Sequence, residues 1–221
     1  MRTGTARVTP DFALTDAEIH ALDEQGWFLR DAVLGRRAAM DVHDAVEALA
    51  AAGRLRPAGL SRGVSYRVDA VVRGDAIAWV APDEVSPELA ALRAAFFGLR
   101  DALNREAYLG LDRMEIQVAR YPGGGAAYSR HRDAFPALPG GRPNRRVTAI
   151  YYANPGWRPE DGGALRLHVA ERSAERAIDV APVLDRLLVF LSERVEHEVL
   201  PARAPRRAVT AWFRARDPLG G

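Results

Sequence analysis

The sequence contains no cysteine, and all 31 of its basic residues are arginine. The lack of cysteine excludes disulfides, thiolate metal sites and iron–sulfur clusters. It is compatible with a reducing cytoplasm, which is where we expect the protein. Long apolar runs are also missing, since the apolar stretch 187–191 is far shorter than the roughly 20 residues of a membrane-spanning helix. Residues 1–14 lack the apolar segment of a signal peptide, so we expect no membrane partner.

No excess of one charge is present either. The 31 basic and 29 acidic residues leave a formal net charge of +2. A strongly cationic surface for nucleic acid is therefore not indicated, and we do not expect a nucleic-acid partner. A chain of 221 residues that is 48% hydrophobic can bury a sizeable core. We predict a single domain over residues 1–221.

The first half of the chain predicts helices. Residues 1–13 are interpreted as a loose leader, and 14–110 as helical support that includes a substrate loop. Thr15 and Glu18 have the spacing of a capping box, which predicts a helix that ends near Gly26. A second helix is expected over 36–52 and a third from Pro87 to about residue 108.

The second half predicts strands. Met114, Ile116 and Val118 alternate with less apolar neighbours, which is the period-2 pattern of a half-buried strand. Similar runs follow at 146–152, 164–169, 186–191 and 208–214, separated by turn residues. The sequence therefore predicts an α+β fold with a mainly β core at 111–216. A double-stranded β-helix of the jelly-roll or cupin type, buttressed by the N-terminal helices, fits this order.

Three residues form a candidate metal site. In a β-strand, His131 and Asp133 would point to the same face, so both can reach one ion. His197, from a distant strand, would complete two imidazoles and one carboxylate on one side of the metal. This set leaves coordination positions open and is typical of non-haem Fe(II) oxygenases. Arg206, shortly after His197, could then hold the far carboxylate of 2-oxoglutarate.

The flanking sequence makes this pattern specific. The segments are YPGGGAAYSRHRD at 121–133, RRVTAIYY at 145–152, DGGAL at 161–165, DRLLVF at 185–190, HEVLPA at 197–202 and AVTAWF at 208–213. In this order they resemble the catalytic domain of the prolyl 4-hydroxylases, most closely the HIF-type prolyl hydroxylases and their bacterial relatives. The resemblance is dense over 114–213, and RGDAIAW at 73–79 extends it upstream.

The resemblance implies a role for each matching position. His131, Asp133 and His197 would bind Fe(II), and Asp133 favours hydroxylation over halogenation, because related halogenases lack the carboxylate. Arg206 matches the arginine that binds 2-oxoglutarate. Arg207 competes with it, but strand parity places Arg206 on the face of Thr210 and leaves Arg207 solvated. The other cosubstrate contacts implied are Tyr152, Tyr121, Leu165 and Thr210.

The resemblance also implies a substrate side of the iron. The residues expected there are Tyr128, Arg73, Asp75, Trp79, Arg145 and Trp212. Residues 73–79 match an upstream loop that can close over a peptide. The implied activity is hydroxylation of a proline in a protein or peptide, with Fe(II), 2-oxoglutarate and O2, support from ascorbate, and succinate and CO2 as products.

Three alternatives stay open at this point. The same chemistry could act on a free amino acid or a natural-product intermediate. A closed small pocket with a spare carboxylate-binding arginine would favour this alternative. A non-catalytic jelly-roll binding module would show a broken triad or a missing arginine, and the sequence shows neither. A nucleic-acid demethylase would need a basic stripe, which the balanced charge does not provide.

Overall fold

The computed structural model describes residues 12–59, 72–80, 86–134, 145–170 and 175–215. Three helices precede most of the strands: α1 is Asp16–Glu24, α2 is Arg36–Ala51 and α3 is Pro87–Glu106. Within the described ranges, no helix is both long and apolar enough to cross a bilayer. Residues 1–11 of the predicted leader lie outside the described residues. Phe12, also within the predicted leader, packs in the hydrophobic core.

The helix predictions are confirmed, and their start signals are visible. Thr15 Oγ1 accepts a hydrogen bond of 3.2 Å from the Glu18 amide, and the Glu18 carboxylate accepts one of 2.8 Å from the Thr15 amide. This reciprocal pair is the capping box that the sequence predicts. The third helix begins at Pro87 directly after Ser86. Proline is favoured there because the first turn needs no amide donor.

Eleven strands form two antiparallel sheets in the described residues. The major sheet has the order β1-β9-β6-β11-β4-β3-β2, and the minor sheet has the order β5-β10-β7-β8. The strands are β1 Trp27–Asp31, β2 Arg56–Pro57, β3 Ala76–Val80, β4 Leu111–Tyr121, β5 Ala126–His131, β6 Arg145–Tyr152, β7 Leu165–Ala170, β8 Glu175–Val180, β9 Arg186–Leu191, β10 Glu196–Ala202 and β11 Arg206–Ala215. The fold is a double-stranded β-helix, which confirms the predicted class.

The core has two layers that meet at the major sheet. On its outer face, Phe96 and Leu99 of α3 pack in one apolar cluster with Val118 and Val209. On its inner face, a second cluster joins it to the minor sheet, with Tyr121, Ile150, Phe190, Leu165 and Val199 among its members. The helices therefore support one sheet from outside, as predicted, and the space between the sheets is left for a site.

One prediction about the upstream segment is wrong. Residues 73–79 are expected to form a loop over the substrate, but Ala76–Val80 form β3 and pair with β4 from Ala76↔Arg120 to Val80↔Ile116. The physical reason is that these small and apolar residues satisfy the free main-chain groups along the edge of β4. The sheet thus takes strands from both sides of the predicted boundary at residue 111.

Candidate active site

Two neighbouring strands of the minor sheet carry the two histidines. Strands β5 and β10 are antiparallel, and His131 lies directly opposite His197. Asp133 follows the end of β5 in a bend. Its carboxylate oxygens lie 3.8 Å from His131 Nε2 and 3.7 Å from His197 Nε2. One potential ligand atom from each residue falls within 4.8 Å of the others, so the three can converge on one ion.

Hydrogen bonds orient all three side chains. His131 Nδ1 lies 2.8 Å from the Ser129 carbonyl oxygen, and His197 Nδ1 lies 3.4 Å from that of Val195. A proton on each Nδ1 leaves each Nε2 free to bind a metal. Asp133 Oδ2 accepts a hydrogen bond of 2.9 Å from the Thr148 hydroxyl, whose oxygen lies 2.8 Å from that of Ser192.

Sequence reasoning did not identify Thr148 and Ser192. Both are fully buried, and together they fix the carboxylate from the side of the major sheet. The available signal was a hydroxyl residue within an otherwise apolar strand, at an inward-facing position of β6. Such a residue needs a buried partner, and here the partner is a candidate metal ligand.

The protonation states suit a cation. Burial and the neighbouring His197 lower the pKa of His131 to about 3, and burial lowers the pKa of His197. Burial would raise the pKa of Asp133, but the two histidines, the Trp212 side chain and the Arg145 guanidinium together outweigh burial, and the pKa of this carboxyl is lowered. Neutral imidazoles and an ionised carboxylate are the metal-binding forms. The donor set, two nitrogens and one oxygen with an open side, fits Fe(II).

A bulge in β5 brings Tyr128 to the same cavity. The register runs from His197↔His131 to Val199↔Tyr128, so β5 holds one residue more than β10 over this stretch. Regular alternation would point Tyr128 away from His131, whereas the extra residue turns it to the same face. The Tyr128 ring stacks on the His131 ring with centroids 3.8 Å apart.

The opposite end of the cavity holds a buried arginine. Arg206 is 4% exposed, and its Nε donates a hydrogen bond of 2.7 Å to the Gly163 carbonyl oxygen. Its guanidinium carbon lies 4.9 Å from the centre of the Tyr121 ring and 5.2 Å from that of Tyr152. The Tyr152 hydroxyl is buried and has no hydrogen-bond partner among the described residues. A planar cation beside an unsatisfied hydroxyl fits the carboxylate of 2-oxoglutarate.

Gly163 is required for this arrangement. Its φ is +71°, which disfavours any residue with a side chain, and a Cβ would lie 3.0 Å from Cδ of Arg206. The close approach lets the Gly163 carbonyl oxygen accept the hydrogen bond from Nε of Arg206. Arg206 lines the cavity, and the guanidinium has further N–H donors to offer a ligand there.

Arg207 lies on the other face of β11, which confirms the predicted strand parity. Its Nε donates a hydrogen bond to Glu47 of α2. The expectation that Arg207 is simply solvated is therefore wrong, because α2 brings a carboxylate over the outer face of the sheet. Arg206 faces the inter-sheet cavity and Arg207 faces the helix.

The cavity between the sheets measures about 840 Å³. Its lining includes every residue predicted for the site except Tyr152, which is fully buried beside the Arg206 guanidinium. Leu165 and Thr210 belong to the same lining. The structure thus brings together the residues predicted for iron, cosubstrate and substrate.

Aromatic and charged residues surround the open side. The rings of Trp79 and Trp212 lie 5.6 Å apart, and Trp79 is 48% exposed. The Arg145 guanidinium lies 3.8 Å over the Trp212 ring, and its Nη2 is 3.1 Å from Glu115. These contacts form an aromatic rim with a fixed cation.

A second cation is held deeper. Arg73 donates hydrogen bonds of 2.7 and 3.0 Å to Asp75 and one of 3.0 Å to Gln117. Its guanidinium lies 4.5 Å from the centre of the Tyr128 ring. Gln117 was not identified from the sequence, where it is simply a polar residue at an alternating strand position. It is 3% exposed, and its amide oxygen locks Arg73 in place.

A jelly roll with two imidazoles and a carboxylate on one side of its cavity defines the class of non-haem Fe(II) oxygenases. The comparisons agree. The model of the 2OG-Fe(II) oxygenase superfamily matches residues 116–214. The human prolyl hydroxylase EGLN3 is 35% identical over 206 residues, which cover 88% of this chain and 81% of that protein.

Two solved structures are similar over nearly the whole chain. A prolyl-4-hydroxylase from Pseudomonas putida has 36% identity and a TM-score of 0.78, covering 90% of this chain and 98% of that one. A prolyl hydroxylase from Trichoplax adhaerens, in complex with a hypoxia inducible factor peptide fragment, has 33% identity and a TM-score of 0.74, covering 89% and 87%. This chain therefore belongs to the prolyl 4-hydroxylase family of the 2OG-Fe(II) oxygenases. It spans about half the length of the rat and mouse Egl nine homolog 1 proteins, which it also matches.

Proposed function

We propose that the protein is an Fe(II)- and 2-oxoglutarate-dependent prolyl 4-hydroxylase that acts on a proline in a protein or peptide and releases succinate and CO2. The observation that carries the proposal is that the His131, Asp133 and His197 side chains and the buried Arg206 line one cavity. The similarity to prolyl hydroxylases, one of them bound to a peptide, supports the choice of substrate.

The proposal assigns metal binding to the triad. His131 and His197 would bind through Nε2, since Nδ1 of each faces a main-chain carbonyl oxygen, and Asp133 would bind through its carboxylate. Bound Fe(II) supplies the redox chemistry that couples decarboxylation of 2-oxoglutarate to hydroxylation by O2. The buried Thr148 and Ser192 hydroxyls keep Asp133 in place, and main-chain carbonyl oxygens orient the two histidines.

The cosubstrate role falls to the far end of the cavity. Arg206 would hold the distal carboxylate of 2-oxoglutarate as a fork, with the unsatisfied Tyr152 hydroxyl as a further donor. Tyr121, Leu165 and Thr210 would complete the walls. Burial of these groups excludes water, which strengthens the interaction with the carboxylate.

The substrate role falls to the rim. We assign contact with the chain around the target proline to Trp79, Trp212, Tyr128 and Arg145, and we assign to the Arg73–Asp75 pair the support of Tyr128. The half-exposed Trp79 and the size of the cavity favour a peptide over a free amino acid. A cytoplasmic location and support of activity by ascorbate are part of the proposal.

The test is mass spectrometry after incubation with Fe(II), 2-oxoglutarate, ascorbate and air. Two substrate pools are compared, host proteins with their peptides and free amino acids, and Asp133→Ala serves as the control. Succinate is measured in parallel. We expect one added oxygen on a proline of a particular protein, and we expect it to be lost in the control.

Two other outcomes would count against the proposal. Oxidation confined to the amino-acid pool would replace the protein substrate with a small molecule. Absence of both substrate oxidation and succinate in a metal-loaded enzyme would contradict the oxygenase assignment itself.

A further inference from the structure

Two arginines of the major sheet lie side by side on its outer face. In the pairing of β11 with β4, Arg207 is directly opposite Arg120. Like charges at directly opposite positions of an antiparallel pair repel, because their Cβ atoms are only about 5 Å apart. The side chains are mostly buried, with 14% and 23% exposed, so water screens them incompletely. This rung of the sheet needs a compensating anion.

Glu47 of α2 supplies that anion to both arginines. Its Oε1 accepts a hydrogen bond of 2.5 Å from Arg207 Nε and one of 2.8 Å from Arg120 Nε. The preceding residue, Val46, is fully buried against the sheet, so the helix fixes the position of the carboxylate. The hydrogen bonds of the two arginines lower the pKa of Glu47 although burial opposes them, which keeps the carboxylate ionised at neutral pH.

The next rung is the cosubstrate end of the cavity. Arg206 is directly opposite Tyr121, one position along from the Arg207–Arg120 pair. The Asn154 side chain additionally accepts a 2.7 Å hydrogen bond from the Arg207 amide and donates one of 3.0 Å to its carbonyl oxygen. Residue 207 is thus held by its side chain and by its main chain. Because Arg206 and Arg207 are consecutive in β11, a displacement of residue 207 would also shift Arg206.

We propose that Glu47 is a positioning residue for 2-oxoglutarate. By joining Arg120 and Arg207 across the outer face, it keeps β4 and β11 together at the rung beside Arg206 and Tyr121, and so holds the guanidinium in place for the cosubstrate. The inference rests on the proposed function, since it requires that Arg206 binds 2-oxoglutarate. Helix α2 thereby takes part in cosubstrate binding without touching the cavity.

The test variant is Glu47→Gln, which keeps the shape and removes the charge. The dissociation constant of 2-oxoglutarate is measured by calorimetry on protein loaded with Mn(II), together with the Mn(II) affinity and the thermal midpoint. We expect 2-oxoglutarate to bind about three- to fivefold more weakly, the effect of roughly 1 kcal/mol of like-charge repulsion, with Mn(II) affinity unchanged.

Two further variants separate positioning from general stability. Glu47→Gln combined with Arg120→Gln removes the repulsion, and we expect it to restore wild-type cosubstrate affinity. Glu18→Gln breaks another helix-to-strand ion pair, that of α1 with Arg30. We expect it to lower the thermal midpoint without a change in the affinity for 2-oxoglutarate.

Each contrary result identifies what has failed. Wild-type affinity in Glu47→Gln, or equal weakening in Glu18→Gln, would overturn the role of Glu47 alone. If the wild-type protein bound Mn(II) but no 2-oxoglutarate, both the positioning role and the proposed function would be overturned.

Discussion

At the metal end of the cavity the strands are short and irregular, whereas at the cosubstrate end they are long and regular. Strand β5 pairs with β10 through two register shifts, and Asp133 lies beyond the end of β5. Strand β11 pairs with β4 without a shift from Arg206 as far as Arg214. The difference shows two ways to fix a side chain. The metal ligands depend on individual hydrogen bonds, and the cosubstrate arginine depends on sheet register.

The largest effect is expected from Asp133→Asn at the metal end. The amide keeps the size of the side chain but removes the negative charge, which leaves two neutral imidazoles to hold the cation. We expect the affinity for Mn(II), measured by titration with detection by electron paramagnetic resonance, to fall by more than about a hundredfold. A fall of less than about tenfold would mean that Asp133 is not a metal ligand.

Arg206→Lys tests the cosubstrate end of the cavity, where the strands are regular. Lysine keeps the charge but loses the fork and the hydrogen bond to Gly163, so we expect the KM for 2-oxoglutarate to rise by about thirty- to a hundredfold. Mn(II) affinity should not change. Arg207→Lys is the comparison on the opposite face. Lysine keeps the charge that pairs with Glu47, so we expect a smaller rise in KM than at Arg206, and a larger one would reverse the assignment of the two arginines.

Thr148→Val tests how much the single hydrogen bond from Thr148 to Asp133 contributes to metal binding. The substitution keeps the shape and removes the donor to Asp133, so we expect about a tenfold loss of Mn(II) affinity. Thr210→Val is the partner variant, because Thr210 lines the cavity on β11. It should lower the affinity for 2-oxoglutarate and leave the affinity for Mn(II) unaltered. The opposite pattern would contradict the division of the cavity into a metal end and a cosubstrate end.

The smallest effect is expected from Tyr152→Phe, and its sign depends on the cosubstrate. The hydroxyl is buried without a partner, so its removal should stabilise the protein by about 1 kcal/mol when 2-oxoglutarate is absent. With 2-oxoglutarate bound, the lost donor should make the variant the less stable protein. Thermal melts of Mn(II)-loaded protein with and without cosubstrate measure both, and a shift of the same sign in both conditions would exclude contact with the cosubstrate.

Local signals predicted much of the fold. The capping box at Thr15, the proline at Pro87 and the alternation after Met114 depend on neighbouring residues alone, and each is confirmed. The face of Arg206 also follows from simple alternation, because β11 has no bulge there.

Features that depend on distant partners were not predictable. Residues 76–80 become a strand because the edge of β4 is free, and Arg207 is paired because α2 passes over it. The argument from alternation that placed Asp133 beside His131 reached the right result for a different reason. The strand ends at His131, and the bond from Thr148 holds Asp133 where it is.

The extra residue in β5 has a consequence for how such a site can change. Because of it, the alternation of cavity-facing and solvent-facing side chains shifts by one position between Tyr128 and His131. Deleting Ser129 or Arg130 would remove the bulge and leave one residue between Tyr128 and His131, so plain alternation would keep both side chains on the cavity face. The strand therefore has a length tolerance at this point. It can hold either one or two exposed residues between the aromatic ring and the metal ligand and still present both to the cavity.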